Sequence, residues 1–173
     1  GGVLVKTKDA YERVRPYLFP FPPPDSAKFL HWAQEQRTGQ KVFWFTLEGF
    51  FWFPRRLLGI EGHLMAFYDE PEVLHRMNAD LVAYHERIVD WLCALCQPDF
   101  MTFAEDMSYN HGSMISKSMF DQFMRPYYTR LVPRLKERGV VTFVDSDGDI
   151  TQPIAWFQEA GLQGVLPLER QAG

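Results

Sequence analysis

From Lys41 onward, short segments dense in apolar, β-branched and aromatic residues alternate with longer ones whose apolar residues recur every three or four positions. The short segments are Lys41–Leu47, Asp99–Ala104, Val140–Val144 and Gly164–Leu168. Each has the length and composition of a buried strand. The clearest of the longer segments starts at Asp69-Glu-Pro71. In it Val73, Leu74, Met77, Leu81, Tyr84, Ile88, Trp91, Leu92 and Leu95 share one face of a helix that Pro98 stops. Ser116 or Ser118 is placed to cap a helix running through Met124. Pro126 opens another that ends at Gly139, with a kink expected at Pro133, and Gln152 to Ala160 reads as the last helix.

Upstream the pattern is weaker. Val3-Leu-Val5 reads as a short strand, Asp9 to Leu18 as a helical turn, and Phe19 to Pro24 as a proline-rich connector. Asp25-Ser26 offers a cap for a helix to about Thr38, and Gly39 ends it. Beyond the first strand, Pro54 to Leu58 predicts a short helix closed by Gly59, and His63 to Tyr68 a second. Strand and helix alternate, which predicts βαβ units in a parallel sheet with right-handed crossovers. The expected architecture is a single α/β domain over residues 1–173, a (β/α)8 TIM barrel. A closed barrel takes about 250 residues, so four strands correspond to the middle part of one.

The ends of the strands carry the chemistry. Glu48 follows the first, Glu105-Asp106 the second, Asp145-Ser-Asp147-Gly-Asp149 the third and Glu169 the fourth. In α/β proteins the carboxyl ends of parallel strands open on one face, and ligand sites form there. Asp145, Asp147, Glu105 and Asp106 are therefore the candidate catalytic residues. Crowded carboxylates raise one another's pKa, which suits a general acid or base. The plain alternative for Asp145–Asp149 is a solvated turn, and for Asp106 a loop cap. Glu48, Asp149 and Glu169 are candidate substrate contacts, and Glu169 has helix capping as its alternative. Tyr109 and His111 join them from the polar loop 107–113, His111 as a proton shuttle or as a surface histidine. Phe51 and Phe53, beside Gly49, form either an apolar wall for a planar or methylated substrate or part of the core.

Composition narrows the class. The formal charge is −4, which argues against broad nucleic-acid binding. The longest apolar run, Val42 to Phe53, is too short to span a bilayer and holds Glu48. With no secretory leader at the start, the expected setting is cytoplasmic, without a membrane partner. Cys93 and Cys96 have C-x-x-C spacing, but they close a helix instead of opening one, so they read as ordinary helix cysteines.

Phe103-Ala-Glu-Asp-Met-Ser-Tyr-Asn-His-Gly-Ser-Met-Ile-Ser116, Phe120-x-x-Phe-x-x-Pro126-Tyr, and Val144-Asp-Ser-Asp-Gly-Asp149 with Pro167-Leu-Glu169 resemble the uroporphyrinogen decarboxylase family. Its superfamily includes zinc-dependent, corrinoid-linked methyltransferases. The resemblance spans roughly residues 41–173. It implies a (β/α)8 barrel with the active site at the carboxyl ends of the strands. Two departures matter. The methyltransferase branch binds zinc through His-x-Cys-Gly after the third strand, whereas Asp145 and Asp147 stand there in this chain. Carboxylates favour hard divalent ions over zinc, which makes Asp145, Asp147 and Glu169 the candidate ligands if a divalent metal is held. The decarboxylase branch carries an N-terminal arginine-rich segment, and no such segment is present here. An acidic mouth also repels a substrate rich in carboxylates.

The leading expectation is an enzyme of this superfamily acting on a small organic substrate, by methyl transfer or demethylation linked to a corrinoid carried by a partner protein. The alternatives are uroporphyrinogen III decarboxylation, a lyase reaction of porphyrin biosynthesis, and a non-catalytic binding protein on the same fold. Open sheet edges are prone to association, so a homodimer is also among the expected partners.

Overall fold

The computed structural model describes residues 5, 7–21, 26–39 and 41–168. Its centre is a parallel sheet of four strands, β1 (Trp44–Glu48), β2 (Phe100–Ala104), β5 (Val141–Asp145) and β6 (Gly164–Leu166), in the order β1-β2-β5-β6. A two-residue antiparallel pair, β3 (Ser108–Tyr109) and β4 (Gly112–Ser113), stands after β2. Helix α3 (Trp52–Asp69), kinked at Gly59 where φ is 73°, and helix α4 (Pro71–Leu95) join β1 to β2. Helices α5 (Lys117–Phe123) and α6 (Arg125–Glu137) join β2 to β5, and α7 (Pro153–Glu159) joins β5 to β6. Helices α1 (Lys8–Val14) and α2 (Ser26–Arg37) precede the sheet.

The expected (β/α)8 barrel is not what forms. Six strands are present among the described residues, four of them parallel, and the sheet is open with β1 and β6 at its edges. The physical reason is strand supply: the pattern marks four apolar strands, and among the described residues no others add to their sheet. Val5, expected in a strand, instead donates its N–H to the carbonyl of Leu57, while Val3 and Leu4 lie outside the described residues.

Strand neighbours follow chain order, and right-handed crossovers then place successive helices on one face of the sheet. Burial alternates accordingly. Phe45, Leu47, Met101, Phe103, Thr142 and Val144 are buried under helices. On the other face the register aligns Trp44, Phe100 and Val141 in one row, and Glu48, Ala104, Asp145 and Leu166 in the row at the carboxyl end. Trp44 is 52% exposed there and stacks on Phe100 at 5.3 Å. Phe100 meets Phe143 edge-on at 5.7 Å. Parallel sheets ordinarily bury both faces; on this second face, among the described residues, Trp44 and Val141 are exposed, Phe100 and Phe143 half-buried and Thr102 buried.

Helix α4 is the spine of the covered side. Pro71 starts it and Cys96, in extended conformation, ends it. Its apolar stripe is buried and His85 Nε2 lies 2.8 Å from the Glu48 carbonyl of β1, while its outer face binds neighbours through charge. Glu86 pairs with Arg130, and Asp90 with Arg134 and Arg138, stitching α4 to α6. Asp80, 11% exposed, accepts two bonds from Arg15 and one from the Tyr11 hydroxyl, which fastens α1 and the turn after it. Cys93 and Cys96 are free and half-buried at the end of the helix, and burial pushes both thiols up. Helix α6 runs through Pro133 to Glu137. No helix of the described residues is long and apolar enough to cross a membrane.

Candidate functional site

The carboxyl ends of the strands gather the predicted acidic residues, but the structure sorts them into different environments. Glu105 goes inward. Helix α3 begins at Phe51 without a side-chain cap, so its first N–H groups need acceptors from elsewhere. The Glu105 carboxylate supplies them: the N–H of Phe50 donates at 2.7 Å, that of Phe51 at 2.7 Å and that of Trp52 at 3.2 Å. The Tyr128 hydroxyl donates to the same group. Glu105 is fully enclosed. Burial pushes its pKa up to about 8, against the three backbone donors, which pull it down. Gly49 makes room for it, since a Cβ there would lie 2.1 Å from the Glu105 carboxyl carbon. The expectation that Glu105 manages a proton for a substrate is corrected: it is the cap of α3, out of a substrate's reach.

Phe51 and Phe53 are corrected in the same sense. They are 0% and 1% exposed, and neither walls an open site. Phe51 packs on His63 at 4.6 Å and Phe53 on Phe19 at 5.7 Å. The core reading holds for both.

The remaining acids stay at the rim. Glu48 pairs with Arg56 at 3.0 Å, and Asp106 with Arg55 at 3.0 Å. Burial raises the Glu48 pKa, and Arg56 opposes it. Asp149 accepts from the N–H of Thr151 at 2.9 Å. Its contacts with Thr151 hold its carboxyl below the usual range, and this Asx turn leads into α7. Asp149 is therefore engaged in local structure, which is the turn reading for that residue. Asp145 and Asp147 make no ion pair among the described residues. Asp145 is half-buried and Asp147 exposed. Burial, then Asp147, then Asp106 hold the Asp145 carboxyl above its ordinary pKa.

The loops that carry these groups are cross-braced. The N–H groups of Glu105 and Asp106 both donate to the Asp145 carbonyl, at 2.9 and 3.2 Å. Ser146 is buried, accepts from the Met107 N–H at 3.2 Å and donates its own N–H to Leu166. Gly148 has φ 83°, and a Cβ on it would lie 2.7 Å from the Tyr109 backbone. The N–H of Asp149 donates to the Tyr109 carbonyl at 2.9 Å. The β3–β4 hairpin is thus seated directly on the 145–149 loop, with Tyr109 49% exposed and His111 edge-on to it at 5.9 Å. Tyr109 and His111 stand beside the acidic loop. Ser146, Arg55 and Tyr128 join this network although none of them is an acidic residue at a strand end. Buried Ser146 had a signal in its place between two rim aspartates, whereas nothing in the spacing points to Tyr128.

No group of three or more His, Cys, Asp or Glu side chains among the described residues could hold a metal ion. Of the three expected ligands Asp145 and Asp147 are described, and Glu169 lies outside the described residues. A groove of about 520 Å³ runs between Val5, Leu58, Met65 and Val73; none of the expected site residues lines it.

No protein-family model matches this chain, and no curated protein matches it. The resemblance to the uroporphyrinogen decarboxylase family accordingly rests on the quoted motifs alone.

Proposed function

We propose that this protein is an enzyme acting on a small organic substrate at the carboxyl end of its parallel sheet, with Asp145 as the acid–base group. One observation carries the reading: Asp145 ends an inner strand, half-buried, flanked by Asp147 and Asp106 and without a cationic partner among the described residues. A carboxyl group so placed keeps its proton closer to neutral pH than a solvated one does. That is the property general acid–base catalysis needs. Asp147 adds negative charge at the open side, which suits a cationic or hydroxylated substrate. Tyr109 offers it a half-exposed ring.

The reaction class we propose is methyl transfer or demethylation, and the sequence resemblance supports it. A corrinoid held by a partner protein would accept the methyl group. Asp145 would deliver the proton to the atom that gives it up. Decarboxylation of uroporphyrinogen III is the poorer fit, because Arg55 and Arg56 are already committed to Asp106 and Glu48.

The test is turnover of methylated substrates with a corrinoid protein, comparing wild type with Asp145→Asn. The expected loss is about 10²–10⁴-fold. Coproporphyrinogen formed from uroporphyrinogen would replace methyl transfer by decarboxylation. Binding without turnover, equal in both proteins, would make this a binding protein.

A further inference from the structure

Asp106 is the one non-glycine residue with a left-handed backbone among the described residues, at φ 43°. Aspartate tolerates this region better than most residues, yet the region remains disfavoured wherever a Cβ is present. Such a conformation persists only where its surroundings over-determine it. Here they act from two sides. The N–H groups of Glu105 and Asp106 converge on the carbonyl of Asp145, folding the chain tightly over the end of β5. From the other side Arg55 Nη1 donates to the Asp106 carbonyl at 2.7 Å and to its Oδ2 at 3.0 Å. Arg55 is itself braced, 23% exposed and with its guanidinium carbon 5.1 Å from the centre of the Trp52 ring.

An ordinary surface ion pair joins two side chains and contributes little. This one takes hold of main chain and side chain together, at the strained residue, next to the residue proposed to move the proton. We propose that Arg55 is a positioning residue for the Asp145 site. It holds Asp106 in its left-handed conformation and thereby fixes the end of β5 from which the Asp145 side chain projects. This rests on the acid–base reading of Asp145 and extends it to the helix that follows β1.

Amide hydrogen exchange on the whole protein tests the grip without a known substrate. In wild type the Glu105 and Asp106 amides are protected by the Asp145 carbonyl. Arg55→Met is expected to speed exchange at those two amides about tenfold or more, while amides within β2 keep their rates. Adding Asp106→Gly to Arg55→Met should restore much of the protection, since glycine takes positive φ without strain. Arg55→Lys should restore part, having the charge without the fork. In turnover, Arg55→Met should lower kcat more than it changes KM, with partial recovery in Arg55→Lys. Unchanged exchange in Arg55→Met overturns the proposal, and so does equal acceleration throughout the sheet, which would make Arg55 a general prop of the fold. Failure of the acid–base reading shows separately, as full activity in Asp145→Asn.

Discussion

Glu105 follows β2 and Asp145 ends the neighbouring β5, and the N–H of the first is bonded to the carbonyl of the second; their side chains nevertheless do opposite things. Glu105 turns under helix α3, where three N–H groups and a tyrosine hydroxyl surround it. Asp145 stands at the carboxyl end of the sheet's other face, where Asp147 and Asp106 both act on its charge. Both carboxyl groups are held above their ordinary pKa, and burial is the first cause in each. What separates them is the donors. A carboxyl group whose oxygens are taken up by donors is a structural bolt, whereas one left among like charges is available to exchange a proton. An acidic residue at a strand end is therefore not evidence of chemistry until its partners are known.

The largest effects should come from attacking the bolt. Glu105→Ala leaves buried N–H groups and the Tyr128 hydroxyl without an acceptor, and should cost about 3–5 kcal/mol in denaturant unfolding. Gly49→Ala drives a methyl group into the same carboxylate and should be comparably damaging. A loss below about 1 kcal/mol in both would break the contrast between the two acids.

Acidity comes next. His63 and His85 are buried and held neutral, with pKa values lowered by burial to about 3 and about 4. The stability they contribute is complete above their unfolded pKa near 6.5 and is lost as pH falls through the folded values, on the order of 3–5 kcal/mol each. Glu105 runs the other way. With its folded pKa raised to about 8, its contribution is complete below about pH 4.5 and is lost as pH rises through the folded value. Unfolding by urea across pH 4–9 should therefore show a maximum at mildly acidic to neutral pH. Glu105→Gln should flatten the alkaline limb and leave the acid limb in place.

The smallest stability effect belongs to the rim. Asp145→Asn removes repulsion with Asp147 and Asp106 and breaks no ion pair among the described residues, so stability should stay within about 0.5 kcal/mol of wild type or rise slightly.

The sequence made the strands and most helices legible because burial writes a period into them. The Val73–Leu92 face recurs at helical spacing and is buried, and Ser116 caps α5 by accepting from the Met119 N–H. The acidic rim was legible as well, since a strand's end locates its next residue. Three things were not. The four strands marked in the sequence all form, but the alternation of strand and helix does not say whether such a sheet curls into a barrel or stays open. The β3–β4 hairpin is two residues per arm and carries no alternation. The role of Glu105 depends on Phe50 to Trp52, more than fifty residues upstream, and no local spacing encodes that contact. The same holds for Phe51 and Phe53, whose neighbours are distant residues such as His63 and Phe19.

Equilibrium denaturant unfolding of Asp145→Asn beside Glu105→Ala, at one neutral pH, weighs the two carboxyl groups most directly. The midpoint of Asp145→Asn should match or exceed that of the wild-type protein, while Glu105→Ala falls clearly below it. Two equal losses would mean that Asp145 is as structural as its neighbour and holds no proton in reserve for a substrate.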